Sequence, residues 1–143
     1  MTEIKNKYNN FCKRYADLEN AFTTYEMHRD RKDLSAVFYF AIIRYFELAY
    51  ESGWRFVRQY LIISTEIEYN TPQEAFIAFK KFGYASDTIL ESLLALAQER
   101  NRTNHIYDQA YAQEVFENIT KHYQALGKLF VILPSLKNPE ATD

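Results

Sequence analysis

The chain has 143 residues, a formal net charge of -2 and 48% hydrophobic residues, which exclude a disordered segment and bound the protein at about one domain. Its 3 Gly and 3 Pro are too few for an all-β sandwich or barrel, where a turn is needed about every 8–12 residues. With 17 Lys+Arg against 19 Asp+Glu, the chain also lacks the strong positive charge of a protein that coats nucleic acid through phosphate contacts. A compact, mostly helical domain is the default, with aromatic residues in excess at 12 Tyr, 11 Phe and 1 Trp. The single Cys12 forms no intrachain disulfide and suits a reducing compartment, where it reads as a small apolar side chain. The most apolar run, residues 36–43, stops at Arg44 and Glu47, well short of the roughly 20 residues that a membrane span needs. No apolar leader core follows the first residues, so the expectation is a cytoplasmic protein with no membrane partner.

From Tyr8 the apolar residues Phe11, Tyr15, Leu18, Phe22 and Tyr25 follow steps of three and four, the stripe of an amphipathic helix that ends near His28. After the charged connector 29–33, Asp33 or Ser35 is placed to cap a second helix from about Leu34 to Ile63. One apolar row of that helix is Phe38, Ile42, Tyr45 and Ala49; another is Phe46, Tyr50, Gly53 and Val57. Two rows imply neighbours on both sides, as in a bundle. Gly53 is explained by close approach of a neighbouring helix, because it costs about 1 kcal/mol relative to Ala in a helix interior.

Asn70-Thr71-Pro72 with Glu74 reads as a capping box with Pro at the first helical position, opening a short third helix to Phe82 that stops at Gly83. Ser86 or Asp87 caps a fourth helix to about Asn104, with Ile89, Leu90, Leu93, Leu94, Leu96 and Ala97 inward. Asp108 opens a fifth, whose apolar face runs through Tyr111, Val115, Phe116, Ile119, Tyr123, Leu126, Leu129, Phe130 and Leu133 until Pro134 ends it. The expected architecture is all-α: an up-and-down four-helix bundle with an additional short helix, one domain over 1–134 and a mobile tail over 135–143.

Several chemistries are missing. There is no Gly-rich phosphate loop and no G-x-S-x-G elbow. One Cys and three scattered His do not make a zinc site, and no metal or cofactor is expected. A nucleotidyltransferase needs at least two close carboxylates for its Mg²⁺; the fragment from Gly83 to Asp87 offers one. The chain is therefore not itself expected to transfer nucleotides.

The segment 99–108 is the unusual one, a polar stretch between two apolar helices that holds Arg100, Asn101, Arg102, Asn104, His105 and Tyr107. On a continuous helix Asn101 and His105 share a face, whereas Arg100 and His105 diverge by about 140°. One chain aims those two groups together only if the helix breaks near Asn104 or a second subunit supplies the partner. Read from spacing alone, the segment is a solvated helix end with capping groups.

Arg100-Asn101 followed by His105 and Tyr107 fits R-N-x-x-x-H-x-Y, which resembles the signature of HEPN domains (higher eukaryotes and prokaryotes nucleotide-binding). Phe46-Glu47-Leu-Ala-Tyr50-Glu51-Ser-Gly-Trp54 resembles the F-E-x-x-Y-E-x-x-W helix of one branch, the nucleotidyltransferase substrate-binding protein family. Thr71-Pro72-Gln-Glu74-Ala with Lys81-Phe-Gly83, and Tyr107-Asp108 with Val115-Phe116, are similar to its short middle helix and to the start of its last helix. The likeness covers roughly residues 35 to 130.

That resemblance implies a helical bundle that pairs as a homodimer, with the signature at the interface, and that works with a small nucleotidyltransferase encoded nearby. Many such proteins are toxins of toxin–antitoxin pairs, metal-independent RNases silenced when the partner adenylylates the signature tyrosine. On that reading His105 is the general base or acid for a ribose 2′-OH, Arg100 holds the scissile phosphate, Asn101 orients phosphate or imidazole, and Tyr107 is the residue modified by the partner. The alternative is a non-catalytic subunit that presents a nucleotide or substrate, with Tyr50, Trp54 and Tyr107 packing on it and Glu47 and Arg102 lining the site. A plainer third reading is a structural dimer in which the signature residues cap helices. Trp54, Phe46 and Tyr50 lie at helical spacing and read first as core; Glu47 and Glu51 flank that face and read as solvated or paired carboxylates, with Arg100 or Arg102 as a partner within reach of Glu47. His28 and His122 read as helix-end or surface residues, and Lys80-Lys81 as a solvated helix end.

Overall fold

The computed structural model describes residues 2–129, and within them the regular structure is helical throughout. Six α-helices follow one another: α1 (Thr2–Met27), α2 (Ser35–Thr65), α3 (Pro72–Lys81), α4 (Asp87–Arg102), α5 (Gln109–His122) and α6 (Gln124–Gly127). Short 3-10 turns at Lys32–Leu34 and Thr103–His105 precede α2 and follow α4. The all-α bundle expected from composition is the fold observed. Phe130, Leu133, Pro134 and the tail 135–143 lie outside the described residues.

α1 begins a turn and a half before the stripe that starts at Tyr8. Ile4, seven residues before Phe11, is buried with Phe11, Tyr15, Leu18 and Phe22, but Lys5, Asn6 and Lys7 conceal the period at that end. α2 runs antiparallel to α1, since Tyr8 and Phe11 meet Phe56 at one end (ring centroids 5.3 and 6.1 Å) and Tyr25 meets Phe38 and Tyr39 at the other. Within α2, Tyr45 departs from the expected core row. It is 39% exposed and lines a shallow groove with Asp17, Asn20, Ala21, Thr24, Phe38 and Ala41, because the row of α2 that meets α1 rotates past it at that level.

α2 passes through Gly53 without interruption. A Cβ on Gly53 would lie 3.1 Å from Phe11 Cε1 and 3.2 Å from Leu129 Cδ1, so this glycine sits where α1 and the end of the described chain close on α2. The helix ends at Glu66, which is left-handed (φ 63°) and still donates its N–H to Ile62 O. A non-glycine residue in that region is strained by about 1–2 kcal/mol. The strain is offset from outside: Arg58 donates through Nε to the Tyr69 carbonyl (3.0 Å) and pairs with Glu68 through Nη2.

Local chemistry sets the next three starts. Thr71 accepts from Glu74 N–H, as the capping box read from sequence requires, whereas the Glu74 carboxylate accepts from Asn70 N–H, one residue before the N-cap. Ser86 accepts from Ile89 N–H, and Asp108 from Tyr111 N–H. α4 runs antiparallel to α2, with Tyr60 and Tyr84 hydroxyls 3.1 Å apart near its start and Arg100 against Glu47 near its end. α5 returns antiparallel to α4, stitched by His122 Nδ1 and Ser92 Oγ at 3.0 Å. His28, as expected, is a helix-end residue, with Nδ1 2.9 Å from Thr24 O.

The single fifth helix expected from Asp108 onward is two helices in the structure. At Tyr123 the pattern tightens: its N–H bonds Ile119 O, but its own carbonyl accepts from Leu126 N–H three residues on. The backbone of Tyr123 stays right-handed helical (φ -61°, ψ -28°), and its ring stacks on Phe22 at 4.2 Å, a tertiary contact invisible to periodicity. Leu94, read as inward, lies half-buried along a groove with Gln73, Glu91, Ala95, Gln98 and Asn101. Leu93, Leu96 and Ala97 are in the core.

The aromatic excess resolves into contacts between helices. Phe116 of α5 receives Tyr25, Tyr39 and Phe22 at 5.0, 4.7 and 6.0 Å, and Phe76 of α3 receives Tyr50 at 6.0 Å. Each such pair adds about 0.5–1.5 kcal/mol beyond area burial. Replacing Gly53 by Val inserts volume where Phe11 and Leu129 close on α2 and is expected to cost about 1–3 kcal/mol, read as a lower urea midpoint at unchanged m value. Burial raises the Tyr15 phenol to about 12, and the Tyr60 hydrogen bond, with burial, raises Tyr84 to about 12. Both phenols are held neutral by the fold, so their stabilisation is complete below the unfolded tyrosine pKa of about 10 and is lost as pH rises through 12. The difference in phenolate absorbance between the parent and the Tyr15→Phe, Tyr84→Phe double variant, which isolates these two among the chain's 12 tyrosines, is expected to appear together with loss of helical circular dichroism in that window.

Candidate functional site

The polar segment is built by a change of helix type. α4 ends at Arg102 and tightens into the 3-10 turn Thr103–His105, where Thr103 Oγ1 donates to Arg100 O at 2.7 Å. Ile106 is extended (φ -87°, ψ 110°), so the chain leaves the helix axis after His105. The break near Asn104 therefore exists, and it separates the signature residues instead of gathering them.

Arg100 turns towards α2. Its Nε donates to Glu51 Oε1 at 3.1 Å, and its Nη1 lies 3.4 Å from Glu47 Oε2. Nη1 also donates to Thr103 Oγ1 (3.0 Å) and Asn104 Oδ1 (3.4 Å). The second Glu51 oxygen accepts from Trp54 Nε1 at 3.2 Å and lies 3.8 Å from Arg55 Nε. Glu47, Glu51, Arg55 and Arg100 thus form a locally neutral set, and the expected Glu47–Arg100 partnership is present. Glu51, the better aligned acceptor, reads from sequence as a solvated or paired carboxylate with no partner named; the structure gives it Arg100. Its signal was the i, i+4 repeat with Glu47, which needs a cation on a different helix to acquire meaning.

Beside this set lies a cavity of about 180 Å³ lined by Tyr50, Glu51, Pro72, Gln73, Ala97, Arg100, Asn101 and Asn104. α2, α3 and α4 each contribute a wall. Tyr50 is 1% exposed and packs on Phe46 and Phe76, so it is a core residue that shows the cavity only an edge. Burial and the nearby Glu51 carboxylate raise its phenol, while Arg100 opposes the rise. Trp54 is half-buried and tied to Glu51.

Arg102 faces away from Arg100. Its Nη1 donates to both Glu99 oxygens (3.0 and 3.3 Å), Nη2 pairs with Glu114 at 2.8 Å, and Nε donates to the Tyr111 hydroxyl at 3.2 Å. Its guanidinium carbon lies 4.9 Å from the Tyr111 ring centre. These partners hold its pKa above the ordinary arginine value, the Tyr111 bond first among them. Glu99 is 5% exposed, so the pair ties α4 to α5 over a buried carboxylate. Sequence reading placed Arg102 with the binding residues; the structure gives its donors to Glu99, Glu114 and Tyr111.

His105 and Tyr107 stand outside the cavity. Tyr107 is 84% exposed, and His105 Nδ1 lies 3.4 Å from its hydroxyl. Asn101 is exposed on α4 at the cavity edge. Of the signature, one chain places Arg100 and Asn101 together at the cavity, beside Asn104, and His105 with Tyr107 apart from them. Among the described residues no group of three or more His, Cys, Asp or Glu is placed to hold a metal ion, and no helix is long and apolar enough to cross a membrane.

Arg102→Ala leaves Glu99 buried without its cation and is expected to destabilise the fold by about 2–4 kcal/mol. The pair replacement Glu99→Leu with Arg102→Met is expected to recover most of that loss. Thermal and urea unfolding of the parent, the Arg102→Ala variant and the double variant checks both expectations.

No curated protein matches the chain. Among solved structures, a crystal structure of a protein from Thermus thermophilus is similar, with a TM-score of 0.64 at 22% identity, over 78% of this chain and 94% of the other. That likeness is one of fold. Residues 6–131 match the family model described as nucleotidyltransferase substrate binding protein like. The match spans α1 to the end of the described helices and includes every residue of the site, and on it the chain belongs to the nucleotidyltransferase substrate binding protein-like family.

Proposed function

We propose that this chain is the partner subunit of a small nucleotidyltransferase and that Tyr107 is the acceptor on which the partner acts. The observation that carries the reading is the pairing of an 84% exposed phenol with an imidazole nitrogen 3.4 Å from its oxygen. A large aromatic side chain that exposed gains nothing from burial, so its position is not explained by packing. In the Nε2-protonated tautomer, His105 Nδ1 accepts the phenolic proton. The phenolate oxygen then attacks the α-phosphorus of a nucleoside triphosphate bound to the partner. The new bond joins tyrosine oxygen to phosphorus, the bond to the β-phosphate breaks, and pyrophosphate leaves. Metal ions for that step belong to the nucleotidyltransferase. This chain supplies the acceptor, its base and a surface that presents both.

The metal-independent RNase reading rests on the same exposed imidazole. It requires Arg100 and His105 to face one phosphate, and within one chain Arg100 is turned to Glu47 and Glu51 while His105 is turned to Tyr107. A homodimer in which each chain faces the other's His105 would supply the missing geometry.

In the purified complex given ATP and Mg²⁺, intact mass is expected to show nucleotide on this chain, mapped to the peptide that holds Tyr107. Tyr107→Phe is expected to abolish the adduct, and His105→Ala to slow its formation by about 10²-fold. An adduct unaffected by Tyr107→Phe overturns the acceptor reading. RNA cleavage in EDTA that is lost in His105→Ala would establish the nuclease reading instead.

A further inference from the structure

Tyr107 has no packing of its own to hold it. It is 84% exposed, and its hydroxyl meets His105 Nδ1 at 3.4 Å, a neighbour on the same exposed segment. The place of such a side chain is set by the two ends of the segment that carries it. Both ends are tied to one residue, Tyr111.

From the α4 side, Arg102, the last residue of that helix, donates through Nε to the Tyr111 hydroxyl at 3.2 Å. Its guanidinium carbon lies 4.9 Å from the Tyr111 ring centre. From the α5 side, the Asp108 carboxylate accepts from the Tyr111 N–H at 2.8 Å, and the Asp108 carbonyl accepts from Ala112 N–H. Tyr111 is half-buried and packs against the core. The residues 103–108 therefore form a loop closed across its base by bonds to a single anchored side chain. Stability does not require the hydroxyl, because the pairs with Glu99 and Glu114 already neutralise Arg102. What the hydroxyl adds is a bridge between the two ends of the loop.

Closing a loop at its base removes backbone freedom from the residues inside it. That freedom is then lost on folding and not at the encounter with an enzyme, which is the condition for holding a reacting group on its line of attack. His105 lies in the same loop, so closure also keeps the imidazole and the phenol at contact distance. We propose that Tyr111 is a positioning residue for Tyr107: held by Arg102 and Asp108, it closes the 103–108 loop and fixes the orientation in which the phenol meets a nucleotidyltransferase. The inference rests on the reading of Tyr107 as acceptor and adds the device that orders it.

Two measurements test it, one without the partner and one with it. In the full chain alone, nitrogen-15 relaxation is expected to give the Tyr107 amide an order parameter near the roughly 0.85 of rigid backbone. Asp108→Ala combined with Tyr111→Phe is expected to lower it below about 0.6 while circular dichroism stays that of the parent. Asp108→Asn keeps a capping oxygen and is expected to retain the parent's order. In the purified complex with ATP and Mg²⁺, single-turnover formation of the adduct is expected to slow by about ten-fold in the double variant. The ATP concentration giving half the maximal rate is expected to stay unchanged, since the partner binds the ATP. The inference is overturned if the Tyr107 amide is equally ordered in the parent and the folded double variant, or if Asp108→Asn loosens it as much as Asp108→Ala. It is also overturned if the order falls and the rate does not. Absence of any adduct on Tyr107 in the parent complex would overturn the acceptor reading instead, and the order parameters would still decide whether Tyr111 closes the loop.

Discussion

α2 is the helix on which the others depend, because it packs against α1, α3, α4, α5 and α6. A helix touched on so many sides must offer shape on most of its circumference, and α2 does this with residues of opposite size. Phe46, Tyr50 and Phe56 project into the spaces between neighbours, while Ala49, Ser52 and Gly53 let backbones close. Ser52 is buried without penalty because its hydroxyl bonds back to Leu48 and Ala49 carbonyls. Gly53 is the extreme of this pattern. The helix propensity lost there is exchanged for contact with Phe11 and Leu129, and the exchange holds α1 and the end of the described chain on one seam.

The charged residues follow a related logic at the edge of the same helix. Glu47 and Glu51 leave α2 on the side where α4 arrives, and Arg100 meets them there. Beside Arg100 on α4, Glu99 and Arg102 perform the corresponding task towards α5. α4 thus ends in two ion pairs that point to different neighbours, and both leave His105 and Tyr107 without a core to join. Exposure of these two residues is a consequence of how α4 is anchored.

Much of the bundle is readable from the chain, for reasons that differ by element. Thr71 with Glu74, Ser86 and Asp108 are local devices, each acting within a single helical turn, and they are as visible in sequence as in the structure. The division of the last helix at Tyr123 does not show in the periodicity, and the contact its ring makes is with Phe22, far upstream on α1. Tyr45 and Leu94 follow apolar periodicity yet line grooves, since period fixes a side of the helix and the neighbour's position decides what covers it. For the site, the motif named candidate residues and the geometry divides them between two places. Arg102 was legible as a charge but not as the partner of a buried Glu99, and Glu51 required the arrival of α4 to become more than a surface acid.

The left-handed Glu66 and the Arg58 contacts around it lead to the cavity by another route. Arg58 of α2 holds the Tyr69 carbonyl and Glu68, and shortly afterwards Pro72 and Gln73 begin α3 as one wall of the cavity. The connection between α2 and α3 therefore behaves as a gauge block, setting the width of the gap between α3 and the Arg100 end of α4. Lengthening or shortening such a loop ordinarily costs little; here the same change would be transmitted as a displacement of the cavity wall. Variation in the α2–α3 connection is then a way to resize the pocket without altering any residue that lines it.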